Sequence, residues 1–178
     1  EKSGISSMAK TKVLFKMFYL YHKAAFDPLI ELFENDPKYD VALSLTHEVE
    51  RTFGLFDKDQ TKKYLKKFAE EGHRISDENE QFDIVFAPDV VVEKKYGDDL
   101  LCLIYHGITF TKTVNYRELK KHYNHRYVIF AEGEQSVQSL NASGSIGISE
   151  VHTVGYPKMD PFFIEGNFNR DKILKLLN

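Results

Sequence analysis

An uninterrupted apolar run, Leu-Leu-Cys-Leu-Ile-Tyr, occupies positions 100–105, and His106 and Gly107 follow it directly. The run is rich in β-forming residues, and Asp98 and Asp99 precede it, which predicts a strand buried on both faces. Strands of this kind belong to parallel sheets, which bind ligands at the carboxyl ends of their strands. His106 therefore occupies a position typical of a catalytic or ligand-contacting group.

Strand-like and helix-like segments alternate on both sides of this run. The periodicity predicts strands at 12–18, 39–45, 82–86, 100–105, 127–130 and 150–154, and helices at 24–33, 59–71, 116–123 and 134–140. With right-handed crossovers, such alternation predicts an α/β fold of three layers, in which helices cover both faces of a doubly wound, mostly parallel, Rossmann-like sheet.

The length of 178 residues, 42% of them hydrophobic, fits one domain, which we expect to occupy residues 8–160. Residues 1–7 precede the first methionine and carry no periodicity, so we interpret them as a cloning remnant or a disordered leader. Residues 161–178 begin with helix-breaking residues and then resume helical spacing. They are predicted to be a linker and the start of a helix that leads toward a further domain.

Charge and composition favour a cytoplasmic protein. The net charge of -3 gives no electrostatic footprint for nucleic acid, and no run is long enough for a signal peptide or a membrane span. Cys102, the only cysteine, lies inside the apolar run and is interpreted as a small apolar filler. A basic helix face could meet anionic lipid, although a solvated face is the more common reading of such a pattern. Its residues are Lys62, Lys63, Lys66 and Lys67.

The loop after the first predicted strand has no glycine. Residues 19–25 read Tyr-Leu-Tyr-His-Lys-Ala-Ala, whereas a dinucleotide-binding sheet would place a glycine-rich turn there. The glycine-rich stretch at 144–147 leads into a strand rather than a helix, so it is expected to be a turn and not a phosphate cradle. The sequence therefore predicts no nucleotide cofactor in this domain.

Several side chains at predicted strand ends could face one crevice. His106 could act as a general base, with a polar strand-end residue bonded to a backbone carbonyl as the alternative. His22 and Asp89 occupy comparable positions, where a cap or a loop hydrogen bond is the alternative to ligand binding.

A second group of side chains has metal-ligand spacing on one helix face. Its members are Glu118, His122 and His125. A wet helix face explains this spacing as well, and we predict no metal site.

Two short motifs carry a resemblance to a known family. They are Tyr105-His106-Gly107 and, about fifty residues later, a Gly-Tyr-Pro-Lys-Met-Asp segment at 155–160. The pair resembles the CDP-glycerol glycerophosphotransferases of teichoic acid synthesis. That family has a Trp-His-Gly-Thr-Pro segment in the amino-terminal half of a GT-B-like fold and a Gly-Tyr-Pro-Arg-Asn-Asp segment at the passage into the carboxyl-terminal half.

The resemblance implies roles for individual residues. His106 matches the histidine thought to deprotonate the acceptor hydroxyl, and Gly107 would let the backbone approach closely. Together with Gly107, we expect Thr109, His22 and Asp89 to contact substrate. The second motif is expected to be structural, and its matching residues are Gly155, Tyr156, Pro157 and Asp160.

The resemblance also implies partners. This domain would face a polymer or lipid-linked acceptor, with peripheral contact at the inner face of the cell membrane, and a second domain outside this sequence would hold the CDP-glycerol donor. On this reading the fragment alone is inactive. Two alternatives stay open: a GT-B glycosyltransferase that uses a nucleotide sugar, and a free-standing flavodoxin-like binding module.

Overall fold

The computed structural model describes residues 9–46, 49–52, 56–91, 99–104, 113–122 and 124–164. The strands are β1 (Thr11–Met17), β2 (Tyr39–Leu45), β3 (Val49–Thr52), β4 (Phe56–Asp59), β5 (Ile84–Ala87), β6 (Leu100–Ile104), β7 (Tyr127–Ala131) and β8 (Glu150–Thr153). The helices are α1 (Lys23–Glu34), α2 (Thr61–Glu70), α3 (Thr113–Lys121), α4 (Glu134–Ser143) and the single-turn α5 (Asp160–Phe163).

Six of the strands form one parallel sheet in the order β2-β1-β5-β6-β7-β8. Ile75 adds a one-residue parallel bridge on the outer side of β2, opposite Leu43. The Leu43 N–H donates to the Arg74 carbonyl at 2.8 Å, and the Ser76 N–H donates to the Leu43 carbonyl at 3.0 Å. With this bridge the strand order becomes that of a Rossmann sheet. The predicted doubly wound fold is confirmed.

Both faces of the sheet carry a core, because successive strand residues point to opposite sides. Phe15 packs in one cluster with Phe26 of α1 and Phe68 of α2. Leu14, the preceding residue, packs in the other cluster with Leu119 of α3. The near-continuous apolar strands predicted from the sequence thus result from cover on both faces.

Two features were not predicted. Strands β3 and β4 form a separate antiparallel hairpin between β2 and α2. The predicted helix at 59–71 begins only at Thr61, whose N–H donates to Asp59 Oδ1 at 2.8 Å.

None of the helices in the described ranges is long and apolar enough to cross a membrane.

Candidate functional site at the carboxyl edge

All six parallel strands end on one side of the sheet, the carboxyl edge. Strand β1 lies between β2 and β5. The chain adds β2 on one side of β1 and later adds β5 on the other side, so the direction in which strands are added reverses between β1 and β5. In open α/β sheets such a reversal opens a crevice at the carboxyl edge, and ligands bind there. The loops that follow β1 and β5 flank this crevice.

His22 holds the loop after β1. Its side chain is 2% exposed, and its Nδ1 accepts the backbone N–H groups of Phe18 at 3.2 Å and Tyr19 at 3.1 Å. The His22 N–H in turn donates to the Tyr19 carbonyl at 3.1 Å. An Nδ1 that accepts two N–H groups carries no proton of its own. The described contacts match the loop hydrogen bond that the sequence left open for His22, and ligand contact by His22 stays a prediction.

The same loop presents two exposed tyrosines. The rings of Tyr19 and Tyr21 stack with centroids 5.5 Å apart and an interplanar angle of 8°. Tyr21 is 53% exposed, and its ring lies edge-on to His22 at 4.3 Å. The sequence analysis considered this loop only for its lack of glycine and did not predict a role for the tyrosines. Two aromatic residues on either side of Leu20 could have indicated an aromatic surface. Exposed aromatic rings beside a ligand crevice can stack on the C–H face of a sugar or polyol.

Asp89 lies on the opposite side of the crevice, two residues past β5. Its Oδ1 accepts the Val90 N–H at 2.7 Å, and the residue is partly buried. The chain then enters the core at Val91, whose carbonyl accepts the Tyr127 hydroxyl at 3.4 Å. Asp89 thus follows the strand end at which the sequence predicted it, and its contact with substrate stays a prediction.

His106, Gly107 and Thr109 lie outside the described residues. The strand that precedes them, β6, ends at Ile104 on the carboxyl edge and pairs with β5, with Leu103 opposite Ala87. The roles assigned to these three residues remain predictions.

Glu132 was missed by the sequence reasoning and follows β7 at the same edge. Its Oε1 accepts the Ser136 hydroxyl at 2.6 Å, where Ser136 lies in the first turn of α4. Burial raises the pKa of Tyr156, and the negative charge of Glu132 raises it further. Glu132 and Tyr156 therefore lie close enough for their electrostatics to be coupled, Glu132 just after β7 and Tyr156 just after β8.

The motif at 155–160 turns the chain away from the end of β8. The Val154 N–H donates to the Ala131 carbonyl at 2.9 Å, and Gly155 then has a φ of +86°. Residues Pro157–Met159 form one turn of 3-10 helix, closed by the Met159 N–H on the Tyr156 carbonyl at 2.8 Å. This turn contacts α1. The motif therefore connects the last strand to the helix that follows the crevice loop.

Three other features carry no chemistry at this edge. Burial raises the pKa of the Cys102 thiol to about 12, which fits an apolar filler. Gly144 ends α4 with a φ of +63°, so the glycine-rich stretch is a turn at the amino end of β8, on the far side of the sheet. Glu118 accepts a hydrogen bond from Lys121 at 2.8 Å, and the described part of the chain contains no cluster able to hold a metal ion.

These features define a doubly wound, Rossmann-like α/β domain with a candidate ligand crevice at the carboxyl edge, between β1 and β5. No family model, no curated protein and no solved structure matches the chain.

Proposed function

We propose that this chain is the amino-terminal, acceptor-side domain of a GT-B-like transferase of cell-envelope polymer synthesis. The transferase moves a glycerol phosphate unit from a CDP-linked donor to an acceptor hydroxyl. A second domain binds the donor, and the enzyme works at the inner face of the cell membrane. The assignment to this family rests on the two sequence motifs, and the geometry of the carboxyl edge supports the acceptor role.

The observation that carries the acceptor role is the loop after β1. In a nucleotide-binding sheet this loop is glycine-rich, and it lets a pyrophosphate approach the start of the first helix. Here His22 fixes the loop by accepting two backbone hydrogen bonds, and the loop exposes Tyr19 and Tyr21. Such a surface lacks a phosphate cradle but offers rings that suit a polymer of sugar or polyol units.

The proposed reaction is a displacement at phosphorus. The acceptor oxygen forms a bond to the phosphorus that carries glycerol, and the bond from that phosphorus to the bridging oxygen breaks. CMP leaves with the electron pair, and His106 takes the proton of the attacking hydroxyl. Strand β6 ends at Ile104 on the carboxyl edge, beside β5, and this supports the expectation that His106 serves the same crevice as the tyrosines.

The first test is nucleotide binding. NMR titration of the 178-residue chain with CDP-glycerol, CMP and UDP-N-acetylglucosamine should give no saturable binding, because the donor domain holds the nucleotide. Saturable micromolar binding of any of the three by this chain alone would contradict the acceptor role.

The second test is the base. In the full-length protein that carries this domain, His106→Ala should lower CMP release from CDP-glycerol by about two to four orders of magnitude with the fold intact. His152→Ala is the matched control, since His152 is an exposed histidine on β8. A fully active His106→Ala enzyme would remove the assignment.

Two other functions are compatible with this fold. The six strands without the Ile75 bridge have the flavodoxin-like order with one strand added, which favours a free-standing binding module. A GT-B glycosyltransferase with a nucleotide-sugar donor would use the same acceptor loop. Release of CMP from CDP-glycerol separates the proposed transferase from both candidates.

A further inference from the structure

A small cavity lies beside the crevice, on the face of the sheet that carries Leu14. Its volume is about 250 Å³, and its floor is apolar, with Leu14, Leu65 and Phe82 among the lining residues. Six polar residues complete the lining: Lys16, Ser44, Thr46, Ser76, Asp77 and Glu78. We call this space the Lys16 cavity.

Lys16 and Ser44 form the inner wall. They stand opposite each other in the parallel ladder of β1 and β2, so both side chains project from the same face. Lys16 is only 7% exposed, and its Nζ lies 5.9 Å from the centre of the Phe18 ring, toward the carboxyl edge. The hydroxyl oxygen of Ser44 is buried and has no hydrogen-bond partner among the residues that the structure describes. A buried hydroxyl in this state costs free energy unless something binds it.

The cavity exists because the sheet lacks a helix at this point. In a doubly wound sheet, the connection that crosses from one side of the switch point to the other usually includes a helix that covers this face. Here the connection from Ile75 to β5 is eight residues, 76–83, without helix. It is fixed at Glu80, which accepts hydrogen bonds from Arg74 and Lys12. This connection supplies Ser76, Asp77 and Glu78 to the polar lining of the cavity.

The charges of the lining select the class of ligand. An anion would meet the carboxylates of Asp77 and Glu78, and a cation would meet the ammonium of Lys16. A neutral molecule with several hydroxyl groups can both donate and accept, so it can hydrogen-bond to a carboxylate, an ammonium and the Ser44 hydroxyl at once. The apolar floor suits C–H groups. The volume equals that of about eight waters and is below the roughly 300 Å³ at which pockets for drug-sized ligands begin.

We propose that the Lys16 cavity binds a small neutral polyhydroxylated molecule, of the size of a polyol or a monosaccharide, through Lys16 and Ser44. This site is separate from the assignment of His106 and goes beyond the proposed transfer reaction. The experiment below measures ligand binding at the cavity and not enzymatic turnover, so the cavity proposal and the proposed transferase function can fail independently.

The experiment is an NMR titration of the 178-residue chain with xylitol, glucose and inositol, with inorganic phosphate and ethanolamine as charged comparators. At least one of the three neutral compounds should bind saturably and more tightly than both charged compounds. Ser44→Ala should weaken that binding about fivefold, and Lys16→Met by about tenfold or more, because each removes a hydrogen-bonding group. Ser139→Ala, an exposed serine on α4, should leave it unchanged.

Three results would overturn the proposal. Absence of saturable binding by all three neutral compounds overturns the proposal, as does tighter binding of phosphate or ethanolamine. Binding that Ser44→Ala leaves unchanged also overturns it. If Lys16→Met does not fold, as judged by circular dichroism, Ser44→Ala decides the result, since it deletes a single hydroxyl group.

Discussion

One guanidinium nitrogen of Arg74 contacts both carboxylate oxygens of Glu80. Arg74 Nη1 donates to Oε1 at 2.9 Å and to Oε2 at 2.8 Å. Lys12 Nζ donates to the same carboxylate at 3.2 Å. Because Lys12 lies near the start of β1 and Arg74 precedes the Ile75 bridge, Glu80 fastens the connection between the two halves of the sheet.

Replacement of this carboxylate should destabilise the fold by an amount that depends on pH. Burial raises the pKa of Glu80, but the hydrogen bonds from Arg74 and Lys12 outweigh burial and leave the pKa below its ordinary 4.5. Ionised Glu80 therefore stabilises the fold above pH 4.5, and this stability is lost as the pH falls through the lower, folded-state pKa. Glu80→Gln should cost about 1–2 kcal/mol at pH 7, and the difference from wild type should shrink below pH 4.5.

Urea unfolding at several pH values measures the effect. Glu70→Gln is the control, since Glu70 is exposed and lies 3.6 Å from Lys66, and such pairs contribute a few tenths of a kcal/mol. Equal losses for the two variants at pH 7 would contradict the role of Glu80.

His22 should matter to stability more than an exposed histidine does. His22→Ala leaves the N–H groups of Phe18 and Tyr19 without their acceptor, which should cost about 1–3 kcal/mol in the free energy of unfolding. His152→Ala should stay within about 0.5 kcal/mol. Thermal or urea unfolding compares them, and a neutral His22→Ala would argue that the loop does not depend on this side chain.

Gly155 should tolerate asparagine better than alanine. Its φ of +86° disfavours residues with a Cβ, whereas a Cβ built there meets no atom within 4 Å. Gly155→Ala should therefore cost about 1–2 kcal/mol through backbone strain alone, and Gly155→Asn should cost less because asparagine adopts positive φ more readily. Unfolding measurements on both variants test the order. The reverse order would show that strain at this turn does not govern its stability.

The proposed acceptor role predicts that Tyr21 contributes to acceptor binding and not to the chemical step. In the full-length protein, with a short poly(glycerol phosphate) as acceptor, Tyr21→Ala should raise the acceptor KM about three- to tenfold and leave kcat within about twofold. Tyr21→Phe keeps the ring and should behave like wild type. An unchanged acceptor KM for Tyr21→Ala would show that the Tyr21 ring does not contribute to acceptor binding.

The sheet was predictable where burial on both faces made strands apolar throughout. Strand β2 runs over Tyr39–Leu45, as the sequence predicts. The β3–β4 hairpin was missed because Val-Glu-Arg-Thr and Phe-Asp-Lys-Asp contain too few apolar residues to give a periodic signal. The bridge at Ile75 involves a single residue, which is too short for any pattern.

The position of the candidate site could be predicted from the sequence, whereas its side chains could be predicted only in part. Strand ends located His22 and Asp89 on the two loops that flank the crevice, because topology alone brings those ends together. Lys16 was not recognised, since a lysine inside an apolar strand looks like ordinary alternation. Whether such a lysine faces solvent, a helix or a cavity depends on the connection at 76–83, which no local pattern encodes.

The position of β5 next to β1 has a consequence for biosynthesis. The contact between the Lys12 N–H and Asp83, at 2.7 Å, joins residues 71 apart, and β1 pairs with β5 only through such distant partners. A ribosome-bound chain can pair β1 with β2 early, but the central ladder has to wait until residue 87 has left the exit tunnel. Until then an apolar edge of β1 is open, and parallel pairing over this separation is slow. This domain therefore passes through a stage of synthesis in which β1, whose residues 13–17 are all buried in the finished fold, still has one unpaired edge.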